Sequence, residues 1–496
     1  MQTLGYDLGS SSIKASIIDT ETGKCIASSY FPKEEMPISA PRAGWAEQDP
    51  EMWWKYAKMA TTELLKDPAV SADAISAIGI SYQMHGLVIV DKDNKPLRPS
   101  VIWCDSRAVA TGQKAFESIG SQRCLSAHLN SPGNFTASKL GWVKENEPEI
   151  YNKIHKIMLP GDYLAMKLTG EICITPSGLS EGILWDFTRN EVSSMVMDHF
   201  AFDTSFIPGV VPVFSEQGKI TARIAEELGL KKGTPVTYRA GDQPNNAFSL
   251  NVLNPGEIAA TAGTSGVVYG VSDKITYDPE SRVNTFAHVN HSSEMNRLGV
   301  LLCINGTGIL NSWVKRNVAP PDITYEEMNR MAETVAPGSE GLSILPFGNG
   351  SERMLGNSEP GCQIAHMNFN IHNRAHIMRA AQEGIVFAFR YGMDIMKQTG
   401  IIPQVIRAGH SNMFLSPLFG ESLAAVTGAT IELYNTDGSQ GAARAAAIGA
   451  GIYKSAEEAF GGLTVVKRIV PDDNLRIPLD QAYTRWLELL DKHMQS

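Results

Sequence analysis

The chain has 496 residues and a formal net charge of −10, with 43% hydrophobic and 19% charged residues. That length exceeds what one hydrophobic core usually supports, so we expect at least two domains. The negative charge and the absence of a basic stripe argue against a nucleic-acid partner, and no run approaches the roughly 18 apolar residues of a membrane span. An anionic substrate would therefore need a local cradle of donors or a metal.

The cysteines and the first residues indicate the compartment. Six cysteines are spread along the chain without a CxxC pair, which argues against a zinc site or a disulfide framework. The start, MQTLGYDLGSS, has no basic segment followed by an apolar core and a small-residue cleavage site, so no secretion signal is predicted. We therefore expect reduced, packed cysteines and a cytoplasmic protein that does not interact with membranes.

The first elements are predicted to be strands. Residues 2 to 30 contain TLGYDL, SIKASIID and KCIASSYF, joined by short turns, which predicts a meander rather than a βαβ unit. A helix follows over DPEMWWKYAKMATTELLKD, with Asp49 as N-cap and Pro50 at the first helical position. The segment AISAIGISY is then predicted to be a buried strand.

The second half repeats the opening pattern. GEIAATAGTSGVVYGVSD is again strand, small-residue turn and strand, which indicates a duplicated domain. A long helix over AHIMRAAQEGIVFAFRYGMDIMKQTG, a strand in PQVIRAGHS and a helix of small residues in GSQGAARAAAIGAGIY follow, and close packing is the expected reason for the alanines. No linker or low-complexity run marks a boundary between the halves. We place the boundary near residue 244, which gives predicted domains 1–244 and 245–496.

Two glycine- and hydroxyl-rich turns are candidates for binding phosphate. Their residues are Gly9, Ser10, Ser12 and Lys14 in DLGSSSIK, and Gly263, Thr264 and Ser265 in AGTSG. Glycine lets backbone amides approach an anion, while hydroxyls and lysine add donors and charge. Each turn alone is better explained as an ordinary hairpin turn. Their equivalent places in the two halves favour a clamp around a nucleotide lying between two domains.

Two aspartates follow strands at positions suited to phosphoryl transfer. Asp7 ends an apolar strand, where a carboxylate beside a triphosphate would bind magnesium, or would otherwise cap the following serines. Asp242 follows a strand at 236–238 and a glycine in TYRAGDQPNNA. It could accept the proton of a sugar hydroxyl that attacks the terminal phosphate, or cap the next helix, and the two roles are compatible.

Two further strand ends carry groups suited to a polyol. They are Met84, His85 and Gly86 in ISYQMHGLVIVD, and Trp103, Asp105 and Arg107 in VIWCDSR. Strand ends are where open α/β sheets bind ligands, so these groups could hydrogen-bond hydroxyls and cover carbon atoms. The alternative is a histidine satisfied within a turn and an exposed Asp–Arg pair.

Nine motifs in chain order resemble one family. They are YDLGSSSIK, WAEQDPEMWW, ISYQMHGL, WCDSR, FTASKLGWVKENEPEI, LPGDYLAMKLTGE, AGDQPNN, TAGTSGVVY and LPFGNGSER. Together they resemble the FGGY carbohydrate kinases over nearly the whole chain. The resemblance implies an α/β, two-domain actin-like (ribonuclease H-like) fold with a central interdomain cleft, holding ATP and magnesium on one side and sugar on the other.

The resemblance also assigns roles to residues. It implies that Asp7 is the magnesium-associated aspartate and Asp242 the catalytic base. The implied sugar contacts are Met84, His85, Gly86, Trp103, Asp105, Arg107, Asp242 and Gln243. The implied nucleotide contacts are the two phosphate turns together with Gly409, Ser411, Asn412, Gly438 and Gly441.

The implied activity is ATP-dependent phosphorylation of D-xylulose at its terminal (5-) hydroxyl, by a protein for which a homodimer is the family expectation. The chain departs from the family pattern at three places. AGHSN has a single glycine in the adenosine loop, Gln243 stands where asparagine is frequent, and TPSGLSEGILWD replaces an aspartate-containing pattern at 175–182. Alternatives are a family kinase for another ketose, a polyol or a sugar acid, a nucleotide-gated binding or structural protein, and an inactive sugar-sensing relative.

Overall fold

The chain contains both strands and helices throughout residues 1–495, the part that the computed structural model describes. The strands are β1 (Gln2–Leu8), β2 (Ile13–Asp19), β3 (Cys25–Phe31), β4 (Glu47–Gln48), β5 (Ile75–Tyr82), β6 (Val88–Val90), β7 (Ser100–Val101), β8 (Lys156–Met158), β9 (Cys173–Ile174), β10 (Trp185–Asp186), β11 (Glu191–Val192), β12 (Gly209–Val210), β13 (Val236–Gly241), β14 (Glu257–Ala262), β15 (Gly266–Ser272), β16 (Asn284–Ala287), β17 (Leu298–Ile304), β18 (Ser343–Phe347), β19 (Gly361–Ala365), β20 (Val405–Gly409), β21 (Thr430–Tyr434) and β22 (Val465–Ile469). The α-helices are α1 (Pro50–Leu64), α2 (Val109–Ile119), α3 (Ser121–His128), α4 (Thr136–Asn146), α5 (Pro148–Tyr151), α6 (Pro160–Thr169), α7 (Pro176–Glu181), α8 (Ser194–Phe200), α9 (Ala222–Leu228), α10 (Asp242–Ser249), α11 (Gly308–Asn317), α12 (Tyr325–Glu333), α13 (Arg374–Gln398), α14 (Pro417–Thr427), α15 (Gly438–Gly449), α16 (Ala456–Phe460) and α17 (Asp473–Met494).

The chain folds into two compact units. Among the described residues, the first consists of 1–251, 285–298 and 436–463, and the second of 252–284, 299–435 and 464–495. This division differs from the predicted 1–244 and 245–496, chiefly because α15 returns to the first unit. The physical reason is close packing: a Cβ on Gly5 of β1 would lie 2.0 Å from the carbonyl oxygen of Ser439, and one on Gly79 of β5 would lie 2.0 Å from that of Ala442.

The first unit is built on a five-stranded sheet in the order β13-β5-β1-β2-β3. β1, β2 and β3 pair antiparallel, so the predicted meander is confirmed. β5 pairs parallel with β1 and with β13, and Leu8, Tyr82 and Gly241 lie in register at their carboxyl ends. The residues that follow these three strands therefore meet at one edge of the sheet.

The second unit repeats this pairing in the strand order β17-β15-β14-β20-β21-β22. β14 and β15 pair antiparallel around the second small-residue turn, while β14 pairs parallel with β20 and β20 with β21. The repeat of a hairpin flanked by parallel strands agrees with the predicted duplication. Its carboxyl edge carries the turn after Ala262 and the segment after Gly409.

The predicted helices begin and end close to their expected positions. Asp49 caps α1 by accepting a hydrogen bond of 3.0 Å from the backbone N–H of Glu51, and Pro50 is the first helical residue. The alanines of α15 are buried, as expected for close packing. Among residues 1–495, no helix has both the length and the apolar content that crossing a membrane requires.

Candidate active site

Asp7 and the first small-residue turn lie at the carboxyl edge of the first unit's sheet. Ser81, at the matching position of β5, donates a hydrogen bond of 2.8 Å from Oγ to Oδ1 of Asp7. Gly9 closes the turn by donating from its N–H to the carbonyl oxygen of Ser12 at 3.0 Å, and Ser10 lies between them. Burial raises the pKa of Asp7, although the Ser81 hydroxyl acts against that change. The predicted metal-associated carboxylate and the first turn are thus adjacent.

Lys14 makes an ion pair that the sequence did not indicate. It lies on β2 opposite Asp7, and its Nζ is 2.6 Å from Oδ2 of Asp437. Asp437 also caps α15 by accepting from the N–H of Gln440 at 3.1 Å. Burial tends to raise the pKa of Asp437, but the Lys14 ammonium and the hydrogen bonds from Ser439 and Gln440 together hold the pKa below its ordinary value. No local signal could have found this pair, because the two residues are 423 positions apart.

Asp242 is the first residue of α10, directly after β13. The N-cap position is Gly241, one residue before the predicted cap at Asp242. Burial, followed by the negative charge of Asp7, raises the pKa of Asp242 to about 7, while hydrogen bonds from Gln243 act in the opposite direction. A carboxyl group with this pKa can take up a proton near neutral pH, as a general base must.

Met84, His85 and Gly86 follow β5 at the same edge. His85 has a positive φ of 60° and its Nδ1 lies 3.0 Å from the carbonyl oxygen of Glu181, to which it donates. Its ring packs edge-on against Phe135, with ring centres 4.7 Å apart. The Met84 side chain covers Gly241, where a Cβ would lie 2.5 Å from Met84 Cγ. The turn therefore lies beside the residue that precedes Asp242.

Asp105 and Arg107 form an ion pair that is buried rather than exposed. Arg107 Nη2 lies 2.7 Å from Asp105 Oδ2, and the two side chains are 1% and 0% exposed. The Arg107 guanidinium lies 3.7 Å from the ring centre of Trp45, and its Nη1 is buried without a hydrogen-bond partner among residues 1–495. The backbone N–H of Ala46 also donates to Asp105, at 2.6 Å. Trp103 is by contrast 53% exposed.

Glu181 is a buried carboxyl group that the sequence analysis did not name. It ends α7, and neither carboxyl oxygen accepts a hydrogen bond of ordinary geometry within residues 1–495. Its Oε2 would lie 3.0 Å from a Cβ placed on Gly241 and is 3.8 Å from Nδ1 of His85. Burial raises the pKa of Glu181 well above its ordinary value, and Asp242 adds to this change. The departure at 175–182 pointed to this segment but not to the residue.

The second unit contains a cavity of about 490 Å³ at the carboxyl edge of its sheet. It brings together Gly263 and Thr264 of the second small-residue turn with Asn412, which follows β20. The N–H of Gly308 donates to the carbonyl oxygen of Gly263 at 2.8 Å, so the start of α11 also lines the cavity. Asn311 of α11 is a lining residue whose Oδ1 is buried without a partner in the described chain. Neither Gly308 nor Asn311 lies in a motif that the sequence analysis singled out.

The other residues predicted near this cavity lie beside its lining. Ser265 lies in the turn before β15, and its Oγ is 3.4 Å from Oδ1 of Asn305. Gly409 ends β20, and its carbonyl oxygen accepts from the N–H of Ser411 at 2.8 Å.

Gly438 and Gly441 belong to the first unit, whereas the segment 409–412 with which they were grouped belongs to the second. A Cβ on Gly438 would lie 2.4 Å from Oδ2 of Asp7, and one on Gly441 would lie 2.5 Å from Cβ of Ser249. The side chain of Asn245 further ties this helix down by donating to the carbonyl oxygen of Gly438 at 2.9 Å. Both glycines therefore allow α15 to approach its neighbours, and Gly438 borders Asp7.

Comparison with known proteins gives the class. The N-terminal domain of the FGGY family of carbohydrate kinases matches residues 2–249, and its C-terminal domain matches residues 258–450. The chain therefore belongs to the FGGY family of carbohydrate kinases. The resemblance inferred from the motifs and the two-domain α/β fold are confirmed.

Three similar proteins are named xylulose kinase. Xylulose kinase of Lactococcus lactis subsp. lactis (strain IL1403) is 32% identical over 80% of this chain and 77% of its own length. Xylulose kinase of Bacillus subtilis (strain 168) is 28% identical over 92% of this chain and 89% of its own length. The crystal structure of xylulose kinase from Rhodospirillum rubrum has a TM-score of 0.90 over 100% of both chains at 24% identity, which shows the shared fold.

Proposed function

We propose that this kinase transfers the terminal phosphate of ATP to the 5-hydroxyl of D-xylulose, giving D-xylulose 5-phosphate and ADP. Its membership of the family and its similarity to proteins named xylulose kinase support the substrate. The observation that carries the chemistry is the partly buried Asp242 carboxyl at the start of α10, whose pKa is raised to about 7 by desolvation and by the charge of Asp7.

Asp242 is proposed as the general base. Its carboxylate takes the proton of the sugar hydroxyl as that oxygen bonds to the terminal phosphorus and the bond from phosphorus to the ADP oxygen breaks. After the transfer the Asp242 carboxyl is protonated, and ADP leaves with the negative charge of its phosphates. The raised pKa suits this role, since a carboxylate with an ordinary pKa is a weaker base at neutral pH.

Asp7 is proposed to hold the divalent ion, with magnesium as the expected species. No cluster of three or more potential His, Cys, Asp or Glu ligands occurs within residues 1–495. Magnesium fits this donor set nonetheless, because it usually binds through one or two carboxylates plus substrate phosphates. When bound, the ion would neutralise charge on the phosphate oxygens.

The sugar is proposed to contact Met84, His85, Gly86, Trp103, Arg107 and Gln243. Arg107 has an unused donor in Nη1. The Asp105 oxygens already accept hydrogen bonds from Ala46 and Arg107. We therefore assign Asp105 the task of holding the Arg107 guanidinium in place for the sugar.

The nucleotide is proposed to contact the two phosphate turns and the adenosine region that the family resemblance implies. In the second unit the turn formed by Gly263, Thr264 and Ser265 would bind phosphate, and Gly409, Ser411 and Asn412 would contact the adenosine part. Gly263, Thr264 and Asn412 line the same cavity. In the first unit the phosphates would use the turn formed by Gly9, Ser10 and Ser12, with Lys14 on the following strand. Gly438 and Gly441 are assigned to the adenosine part. Backbone amides at such turns bind anions without relying on the net charge of the protein.

A sugar panel tests the proposal. ADP release would be followed in a coupled assay with D-xylulose, D-ribulose, glycerol and D-gluconate at equal ATP. We expect the highest kcat/KM on D-xylulose. A higher value on glycerol or gluconate would contradict the assigned sugar, and an absence of turnover with every sugar would favour a binding or structural role.

A further inference from the structure

The motif FTASKLGWVKENEPEI contains a buried lysine that the proposed reaction leaves unused. Lys139 lies on α4 with its side chain fully buried. Its Nζ donates to the carbonyl oxygen of His85 at 2.7 Å and to that of Ile102 at 3.0 Å. One ammonium group therefore joins the 84–86 turn to the strand end that leads into residues 103–107.

Two neighbouring side chains bind the same two segments. Thr136 Oγ1 donates to the carbonyl oxygen of Gly86 at 3.3 Å. The side-chain amide of Asn134 donates to the carbonyl oxygen of Asp105. Residues 134–139 thus supply donors to backbone carbonyls in both proposed sugar-binding segments.

Burying a lysine at this position costs folding free energy unless its hydrogen bonds compensate. Burial opposes the charged form and lowers the pKa of Lys139 to about 7, and an apolar residue of similar length would fill the same space without that cost. His85 also has a left-handed backbone, which is uncommon outside glycine and persists only when its surroundings hold it. The Lys139 bond to the His85 carbonyl is one such restraint.

We propose that Lys139 is a positioning residue for the sugar subsite, holding the 84–86 turn and the 103–107 segment at a fixed separation through their backbone carbonyls. Asn134 and Thr136 complete this arrangement. The inference rests on the proposed function for the identity of the sugar, but the restraint on the two segments does not depend on that identity.

Lys144 offers a matched control on the same helix. Its Nζ donates to the carbonyl oxygens of Phe200 at 2.7 Å and Ala201 at 2.6 Å, away from both segments. Lys139→Met and Lys144→Met therefore each remove one ammonium group and two carbonyl hydrogen bonds. The readouts are hydrogen exchange of peptides covering 83–87 and 101–107 in the full-length protein, and the KM values for D-xylulose and for ATP.

For Lys139→Met we expect faster exchange in both peptides and a KM for D-xylulose about tenfold higher, as loss of hydrogen bonds from a charged group predicts. The KM for ATP is expected to stay within about twofold, since the nucleotide contacts lie elsewhere. Lys144→Met should leave all three readouts at the wild-type level. Unchanged exchange and unchanged KM in Lys139→Met would overturn the proposal.

A milder variant covers the case in which Lys139→Met does not fold. Thr136→Val keeps the side-chain shape and removes the bond to Gly86, so a KM increase of about threefold for D-xylulose is expected. Wild-type exchange and KM in both Thr136→Val and Asn134→Ala would then overturn the proposal. If the wild-type protein phosphorylates no sugar, the proposed function fails, while the exchange comparison still decides whether Lys139 restrains the two segments.

Discussion

Replacing Asp242 with asparagine is expected to stabilise the protein at alkaline pH. Burial and the charge of Asp7 raise the pKa of this carboxyl from 3.8 to about 7 in the folded state. Folding therefore favours the protonated form of Asp242. The stability that this protonated carboxyl contributes is fully present below its pKa in the unfolded chain, and it is lost as the pH rises through about 7. At about 1.4 kcal/mol per pKa unit, the advantage of a neutral asparagine is about 4 kcal/mol at pH 8 and about 2 kcal/mol at pH 5.

Thermal unfolding of the wild type and Asp242→Asn at both pH values measures this difference. The melting temperature of the variant should exceed that of the wild type, with the larger gap at pH 8. Asp198→Asn is the control, because Asp198 is an exposed carboxylate of the same unit and its replacement should change little. A variant no more stable than the wild type at pH 8, or a gap that does not grow with pH, would refute the reasoning.

Three further predictions concern activity and packing. The kcat/KM for the sugar should fall about tenfold per pH unit below about pH 7, because protonated Asp242 cannot accept a proton; a flat profile down to pH 5 would contradict this. Gly438→Ala places a Cβ 2.4 Å from Oδ2 of Asp7 and should lower kcat about tenfold or more. Gly209→Ala is the control and should not lower kcat, because nothing lies within 4 Å of a Cβ at that position. Equal activity of the two variants would count against the role of Asp7. Arg107→Lys loses the paired hydrogen bonds to Asp105 and the contact with the indole ring of Trp45, and it should destabilise the protein by about 2 kcal/mol. An unchanged midpoint of urea unfolding would show that the buried pair contributes little to stability.

The elements that could be predicted from the sequence are those determined by local patterns. The meander of β1 to β3 followed from alternating apolar residues, and α1 from Asp49 and Pro50 at its start. The two hairpin turns were visible because glycine and hydroxyl residues interrupt apolar strands. At Asp242 the strand and the following helix were predicted correctly, since both signals lie within a few residues.

What the sequence could not show depends on residues far apart in the chain. The pairing of Lys14 with Asp437 and the return of α15 to the first unit arise only when β1 and that helix pack together. Burial of the Asp105–Arg107 pair requires the ring of Trp45 above it. Glu181 carries no motif of its own, and its position beside Gly241 is decided by tertiary packing.

Product analysis with wild-type protein and Asp242→Asn tests the central claim most directly. The proteins would be incubated with ATP and D-xylulose, and the phosphorylated carbon identified by nuclear magnetic resonance while ADP is counted. We predict one phosphate on the 5-oxygen for each ADP formed, and a loss of turnover of about a hundredfold or more in the variant. Phosphorylation at another oxygen, or near-normal turnover by Asp242→Asn, would contradict the account.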